Sequence, residues 1–468
     1  MIEKKIPEFL NHIEKNKSFL QVNHKLFTAY EGELLPMVYA SLEKQLSERA
    51  FEQIVNRVAP INILTRIIDK LSKIYQQNPV RYVENGNDSD SELLQWYENQ
   101  FRIDQKMNIG NEFFNMFRNT LIQVYLHQGQ PRIRAIPSDS FLAYSDDPVE
   151  HTYPNYIILI HSEEMKDGKK NIIYHAYSDT EFVIYDSEGK IRYDLMNEVG
   201  NPEGIVPYGK MPFVYVNRSA NLIVPKADVD TLKMSVLIPV LLSDMNFAVM
   251  FQAFSIIYGI DVTDENLEMS PNAFWRLRSD DSVDSKPQLG TIKPSVDTDK
   301  ALSLMQSQMG FWLQTRGIRP GAVGDVGAEN FSSGISKMVD EMDTSEDRKK
   351  QVSFFEDAEA ELWDFVVNYA HPYWVDSGAI EPITRFSTNA KVITNFQEQI
   401  PMLRRADILK ETVEEMDAGL ITKRRALKRL NPKMNDTELD ELISEIEDEK
   451  VIKMEIANGL DESENTDS

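Results

Sequence analysis

The sequence has no cysteine. Disulfides, thiolate metal sites and a cysteine nucleophile are therefore excluded. It has only seven histidines, at positions 12, 24, 127, 151, 161, 175 and 371, and no two stand at metal-site spacing. His-Glu-x-x-His and Gly-x-Ser-x-Gly are both missing; two places before Ser333 stands Phe331, not glycine. Basic residues are in the minority, 50 against 75 acids, giving a formal charge of −25. Such a chain is a poor general nucleic-acid binder, because displacing counterions from phosphates requires basic surface. An acidic surface does suit a protein past which DNA slides, although an acidic soluble protein unrelated to DNA has the same composition. The opening Met1–Pro7 lacks the apolar core of a signal peptide, so the expectation is a cytoplasm-like compartment.

One long apolar run exists, Val236–Tyr258, and it is long enough to suggest a membrane span. Pro239, Ser243, Asp244, Asn246 and Gln252 interrupt it. A helix buried by other protein surfaces accommodates those residues better than lipid does.

What is present is ordinary in bulk. The chain has 468 residues, 42% of them hydrophobic, enough for several domains with a large core. Residues 1 to about 130 read as helices. Phe51–Tyr75 keeps helical spacing, with Pro60 expected to kink or split it. Asn85–Ser91 reads as a polar loop and Phe113–Leu126 as a helix. Beyond Pro131 the texture changes to short β-rich runs, Tyr156–His161, Ile172–Tyr177, Glu181–Tyr185 and Ile191–Leu195, with Asp-Gly and Glu-Gly turns between them. These predict an antiparallel meander ending in Phe213–Val216. His161 and His175 are placed to face each other across one hairpin as structural histidines. No βαβ alternation occurs, which argues against a doubly wound nucleotide-binding fold.

Helices return from Lys226, with Asp228 or Asp230 as cap for a helix to about Ile257, kinked at Pro239. A mixed segment, Gly259–Val296, carries Trp275-Arg-Leu-Arg278, an acidic turn Ser279–Asp284 and the β-like Gln288–Ile292. Thr298–Thr315 is a second helix. After Gly317–Gly334, Ile335–Tyr369 keeps helical spacing for about 35 residues, a rod of ~50 Å. Its polar middle, Asp343–Lys350, predicts a bend or a solvent crossing. The tail from Arg404 is helical, with Asn435 and Glu438 resembling a capping box for Glu438–Glu449. Residues 436–468 hold thirteen acids against two lysines, and their end is expected to be disordered.

Two segments imitate binding motifs. Gly204–Lys210 has phosphate-loop spacing, but Met211 replaces the hydroxyl residue, Pro207 sits inside, and a strand follows. A loop leading into a strand explains it better than a nucleotide site. Lys423, Arg424, Arg425, Lys428 and Arg429 form a basic helix. Read as a DNA-recognition helix it would need exposed cations, yet acidic flanks favour a salt-bridged helix in a small bundle. Neither segment argues for an enzyme.

Gly317–Gly334 is different. It holds five glycines, Gly317, Gly321, Gly324, Gly327 and Gly334, among small residues such as Pro320, Ala322, Ser332 and Ser333. Glycine accepts positive φ and lets backbones approach closely. A long flexible loop between two strong helices suggests a lid, gate or binding loop, and otherwise a surface linker. Ser332 and Ser333 are positioned to cap the helix that follows.

The order of these features resembles the portal (head–tail connector) proteins of tailed bacteriophages. The matching parts are the helical start, the meander, the strand Met211–Arg218, two helices flanking a short α/β insert, the glycine-rich loop, Ser332-Ser-Gly-Ile-Ser336 opening a long helix, and Ala418–Leu427 with Asn435–Leu442. The resemblance covers about residues 20–450. It implies an α+β, predominantly helical portal fold of wing, stem, clip and crown, assembling as a ring, usually of twelve. By position, residues 1–225 are wing, 226–257 stem, 258–297 clip, 298–316 second stem helix, 317–334 tunnel loop, 335–402 long wing helix and return strand, 403–450 crown, and 451–468 an acidic tail. Arg316, Gly317, Arg319, Pro320, Gly321, Gly324, Gly327, Asn330, Ser332, Ser333 and Gly334 then belong to a loop facing a DNA channel, with Arg316 and Arg319 as weak phosphate contacts. Trp275, Arg276, Arg278, Asp280 and Asp281 belong to the docking clip. The implied partners are other copies of the chain, double-stranded DNA bound without sequence preference, the large terminase subunit, major capsid and scaffolding proteins and a head-completion adaptor. No membrane, cofactor, metal or catalytic residue is implied. The implied place is the capsid vertex of the virion, after assembly in the host cytoplasm. The alternative is a head–tail adaptor or scaffolding-type structural protein without a channel.

Overall fold

The computed structural model describes residues 2–46, 48, 51–52, 55–58, 61–164, 170–254, 256–260, 288–292, 298–318, 334–381, 384–396, 402–430, 439 and 442–446. The chain forms two compact units. One comprises residues 1–329 and 343–397; the other comprises residues 330–342 and 398–468.

The first unit opens with a helical layer: α1 (Ile6–Lys15), α2 (Lys17–Tyr30), α3 (Leu35–Glu43) and α4 (Ile63–Leu71). The helical run expected over Phe51–Tyr75 is split. Short 3-10 turns occupy Val55–Arg57 and Ile74–Gln76, and α4 starts only where Asn62 caps it, its side chain accepting from Leu64 N at 3.0 Å. Strand β1 (Val80–Glu84) follows, then α5 (Asp88–Phe101) and α6 (Ile103–Phe117). The expected loop Asn85–Ser91 is therefore half helix. Asn87 and Asp90 form a reciprocal capping box, with bonds of 3.1 and 2.8 Å between side chains and backbone N–H groups.

The expected helix Phe113–Leu126 is also corrected. It ends at Phe117, Arg118 turns the chain with φ +69°, and β2 (Asn119–His127) begins. Asn119–Val124 are all buried because β2 is the central strand of a sheet. A strand covered on both faces loses the polar–apolar alternation that would have revealed it.

Strands β3 (Gln130–Ile136), β4 (Phe141–Tyr144), β5 (Tyr156–Glu164), β6 (Lys170–Tyr177) and β7 (Phe182–Asp186) come next. The helix α7 (Tyr193–Glu198) stands where a strand Ile191–Leu195 was expected; Ile191 makes only an isolated bridge to Tyr185. Strand β8 (Phe213–Asn217) completes the region. The meander is β4-β5-β6-β7, all antiparallel. It does not end in β8, which pairs instead with β2 in the sheet β3-β2-β8, Leu121 opposite Tyr215. The expected histidine pair is real: β5 and β6 bring the rings of His161 and His175 to 4.3 Å.

The rest of the unit is α8 (Val229–Phe254), a hairpin of β9 (Ile256–Ile260) and β10 (Gln288–Ile292), α9 (Thr298–Thr315), α10 (Gly334–Phe365) from residue 343 on, its start belonging to the second unit, a π-turn at Val366–Ala370, α11 (His371–Asp376) and β11 (Lys391–Asn395), which pairs with β1. α10 spans 32 residues. Its described second half buries Phe355, Leu362 and Trp363 with Tyr97, Phe101, Val124 and Val216 in the largest core cluster. The polar middle is no solvent crossing at Arg348. That residue is 6% exposed and donates to the carbonyls of Lys73 and Ile74, both at 3.3 Å.

In the second unit α12 (Met402–Asp417) and α13 (Lys423–Leu430) pack on each other. Gly419, at φ +72°, ends α12, and Thr422 Oγ1 accepts from Arg425 N at the start of α13.

Candidate functional site

The glycine-rich segment leaves the end of α9, and the described residues define its root. Helix α9 closes with paired reverse bonds: Ile318 N–H donates to Leu313 O and Gly317 N–H to Gln314 O, both at 3.0 Å. Gly317 sits at φ +70°. Leu313 and Ile318 are buried in one apolar cluster with Ile238 of α8 and Trp312. This is the Schellman arrangement, which requires a left-handed residue just past the helix and rewards an apolar contact across it.

A second anchor lies beside it. Both guanidinium arms of Arg316 reach the carboxylate of Asp228, one at 2.5 Å. Asp228 is 2% exposed and its Oδ1 also accepts from Thr231 N at 3.2 Å, capping α8. Burial acts on its pKa first, upward, but the bonds and charge of Arg316 prevail and hold it below the usual carboxylate range. Arg118 stands 3.8 Å from the same carboxylate. The guanidinium of Arg316 also lies 5.9 Å from the Trp312 ring centre. One acidic residue thus caps α8 and ties it to the end of α9.

α8 and α9 carry apolar surface that no described residue covers. Leu237 and Val249 on α8 are 39% and 53% exposed; Leu304 and Phe311 on α9 are 60% and 70% exposed. Over Val229–Val249, α8 is long and apolar enough to cross a membrane, with mean hydropathy 1.5. Its inner face packs instead against α2, α3, α4 and α9.

The segments that imitated binding motifs are structural. Gly204 has φ +63°, and a Cβ there would strike the Phe182 carbonyl. Lys210 bonds Asp364 at 3.0 Å and stands 5.2 Å from the centre of the Tyr369 ring. Arg429 on α13 reaches Glu415 at 2.7 Å and Glu411 at 3.6 Å. Among the described residues, no group of three or more His, Asp or Glu could hold a metal ion.

The family model for phage portal protein, SPP1 Gp6-like, matches residues 2–451. The chain belongs to the phage portal protein family. No curated protein matches it. Portal proteins are structural proteins of the virion, at the capsid vertex, and not enzymes.

Of the portal residues expected in the channel loop, the structure places three. Arg316 is engaged by Asp228, Gly317 belongs to the helix cap, and Gly334 begins α10. Arg319, Pro320, Gly321, Gly324, Gly327, Asn330, Ser332 and Ser333 lie outside the described residues, as do Trp275, Arg276, Arg278, Asp280 and Asp281. The structure adds Asp228 and Arg118. Asp228 was legible as a helix cap; its pairing with Arg316, 88 residues away, had no sequence signal.

Proposed function

We propose that this portal protein forms a ring, usually of twelve copies, whose central channel passes double-stranded DNA into and out of the capsid. In that reading α8 and α9 are the stem, and the chain between them, 258–297, is the clip where terminase and later head-completion proteins dock. The segment 317–334 is the tunnel loop and α10 the wing helix behind it. The ring assembles in the host cytoplasm before DNA enters.

The observation that carries this reading is the uncovered apolar surface of α8 and α9, next to a loop root fixed by two independent anchors. Exposed residues such as Phe311 and Leu304 require burial by something. In a closed ring each subunit offers them to the next, so no membrane is needed. The Schellman cap and the Arg316–Asp228 pair hold the origin of the glycine-rich segment. The charge fits as well. Twelve copies at −25 carry about −300, and an acidic bore repels a duplex bearing one charge per ~1.7 Å.

The test is to replace Gly321, Gly324 and Gly327 by valine. Rings should still assemble, and DNA packaging into proheads should fall sharply. Loss of assembly would make the loop structural; undiminished packaging would remove it from the DNA path.

A further inference from the structure

A cleft of about 710 Å³ opens between the end of α6, the chain leaving β8, the start of α8, the end of α9 and the middle of α10. Sites that hold a ligand commonly measure ~300–1,000 Å³. Its charge is opposite to that of the protein. Arg118, Arg218, Lys226, Arg316 and Lys350 line it against Asp228 and Asp230, five cations to two carboxylates. In the whole chain acids outnumber bases 75 to 50. The floor is polar. Asn115, 6% exposed, donates its amide to Ser72 Oγ, Asn111 O and Gln351 Oε1 at 3.0–3.2 Å. Its carbonyl oxygen accepts from no described group.

We infer that the cleft receives an acidic stretch of a neighbouring copy of the chain, its carboxylates meeting the cationic rim and its N–H groups meeting acceptors within the cleft. Three features select this occupant over a DNA backbone. A polypeptide brings donors as well as carboxylates, and the lining offers acceptors as well as cations, Asp230 being exposed there; a phosphodiester has no donor. Asp230, exposed on the rim, repels a phosphate but can accept from the N–H groups of a peptide. Finally, copies at −25 each repel one another, and a cationic recess at which acidic surface can dock offsets that repulsion and fixes orientation. The inference rests on the ring reading above and names a contact within that ring.

The test exchanges two exposed rim residues, Arg218→Glu with Lys226→Glu. Circular dichroism and melting should match the unaltered chain, since both side chains are exposed. Native mass spectrometry over a range of protein and salt concentrations should show ring formation shifted to at least about tenfold higher concentration. Should the double variant melt early, Arg218→Gln with Lys226→Gln removes the charge without reversing it and gives the same reading. Rings forming at the unaltered concentration and salt dependence would overturn the cleft's role alone. Normal rings with weakened duplex binding in fluorescence anisotropy would overturn it in favour of nucleic acid. Absence of rings from the unaltered chain would remove the ring reading, and the cleft's role with it.

Discussion

Glu359 is wholly buried and accepts five hydrogen bonds, from Tyr75 Oη, Arg81 Nε and a terminal nitrogen of Arg81, Trp363 Nε1 and Thr394 Oγ1, at 2.6–3.3 Å. It joins α10 to β1 and β11. Arg81, its side chain 1% exposed, also meets Glu98 and Asp104 at 3.2 and 2.9 Å. Removing one partner of a buried ion pair strands the other, at a cost of ~3–5 kcal/mol. Glu359→Ala should therefore destabilise by that amount in urea unfolding; a change below about 1 kcal/mol would show that Glu98 and Asp104 alone suffice for Arg81. This hub had no signature in the sequence, because 278 residues separate Arg81 from Glu359. His175 gives a second residue-scale prediction. Burial first, then His161 and Arg134, push its pKa down from 6.5 to about 3. The unfolded chain then binds more protons than the folded one between those values, so stability falls as pH drops below 6.5. His175→Gln should flatten the slope of unfolding free energy against pH in that window by up to about one proton. An unchanged slope would place the titration elsewhere.

At the scale of elements, the sequence was most legible where periodicity is regular. The boundaries Thr298–Thr315 for α9 and Gln288–Ile292 for β10 agree between sequence and structure. It was least legible where an element is covered on all sides or where a short polar signal reverses the reading. The buried, non-alternating run of β2 passed for helix, and the capping box of α5 passed for loop. Gly317 is the instructive residue at the loop. Counted by sequence with four other glycines as a source of mobility, it is a fixed helix cap at φ +70°. An L-residue in that conformation costs roughly 1–2 kcal/mol. Gly317→Ala should reduce stability by that amount and loosen the root of the loop, seen as faster amide hydrogen exchange at Ile318. Equal stability and exchange would mean that Arg316 and Asp228 alone hold it.

At the scale of the molecule, the order of features along the sequence points to the portal family, whereas the sheet arrangement does not follow from it. The pairing of β8 with β2, not with the neighbouring meander, depends on contacts between residues 119–123 and 213–217, which local turn signals cannot encode. The apolar run of α8 was legible as a helix buried by protein, and the described residues cover only its inner face. The central claim is that copies of the chain cover the rest by closing a ring around a channel. Negative-stain projection of the purified protein down the particle axis, with its mass in solution, tests this most directly. The account predicts closed rings, of about twelve copies, with a central hole. A stable monomer at high concentration, or closed particles without a channel, would contradict it.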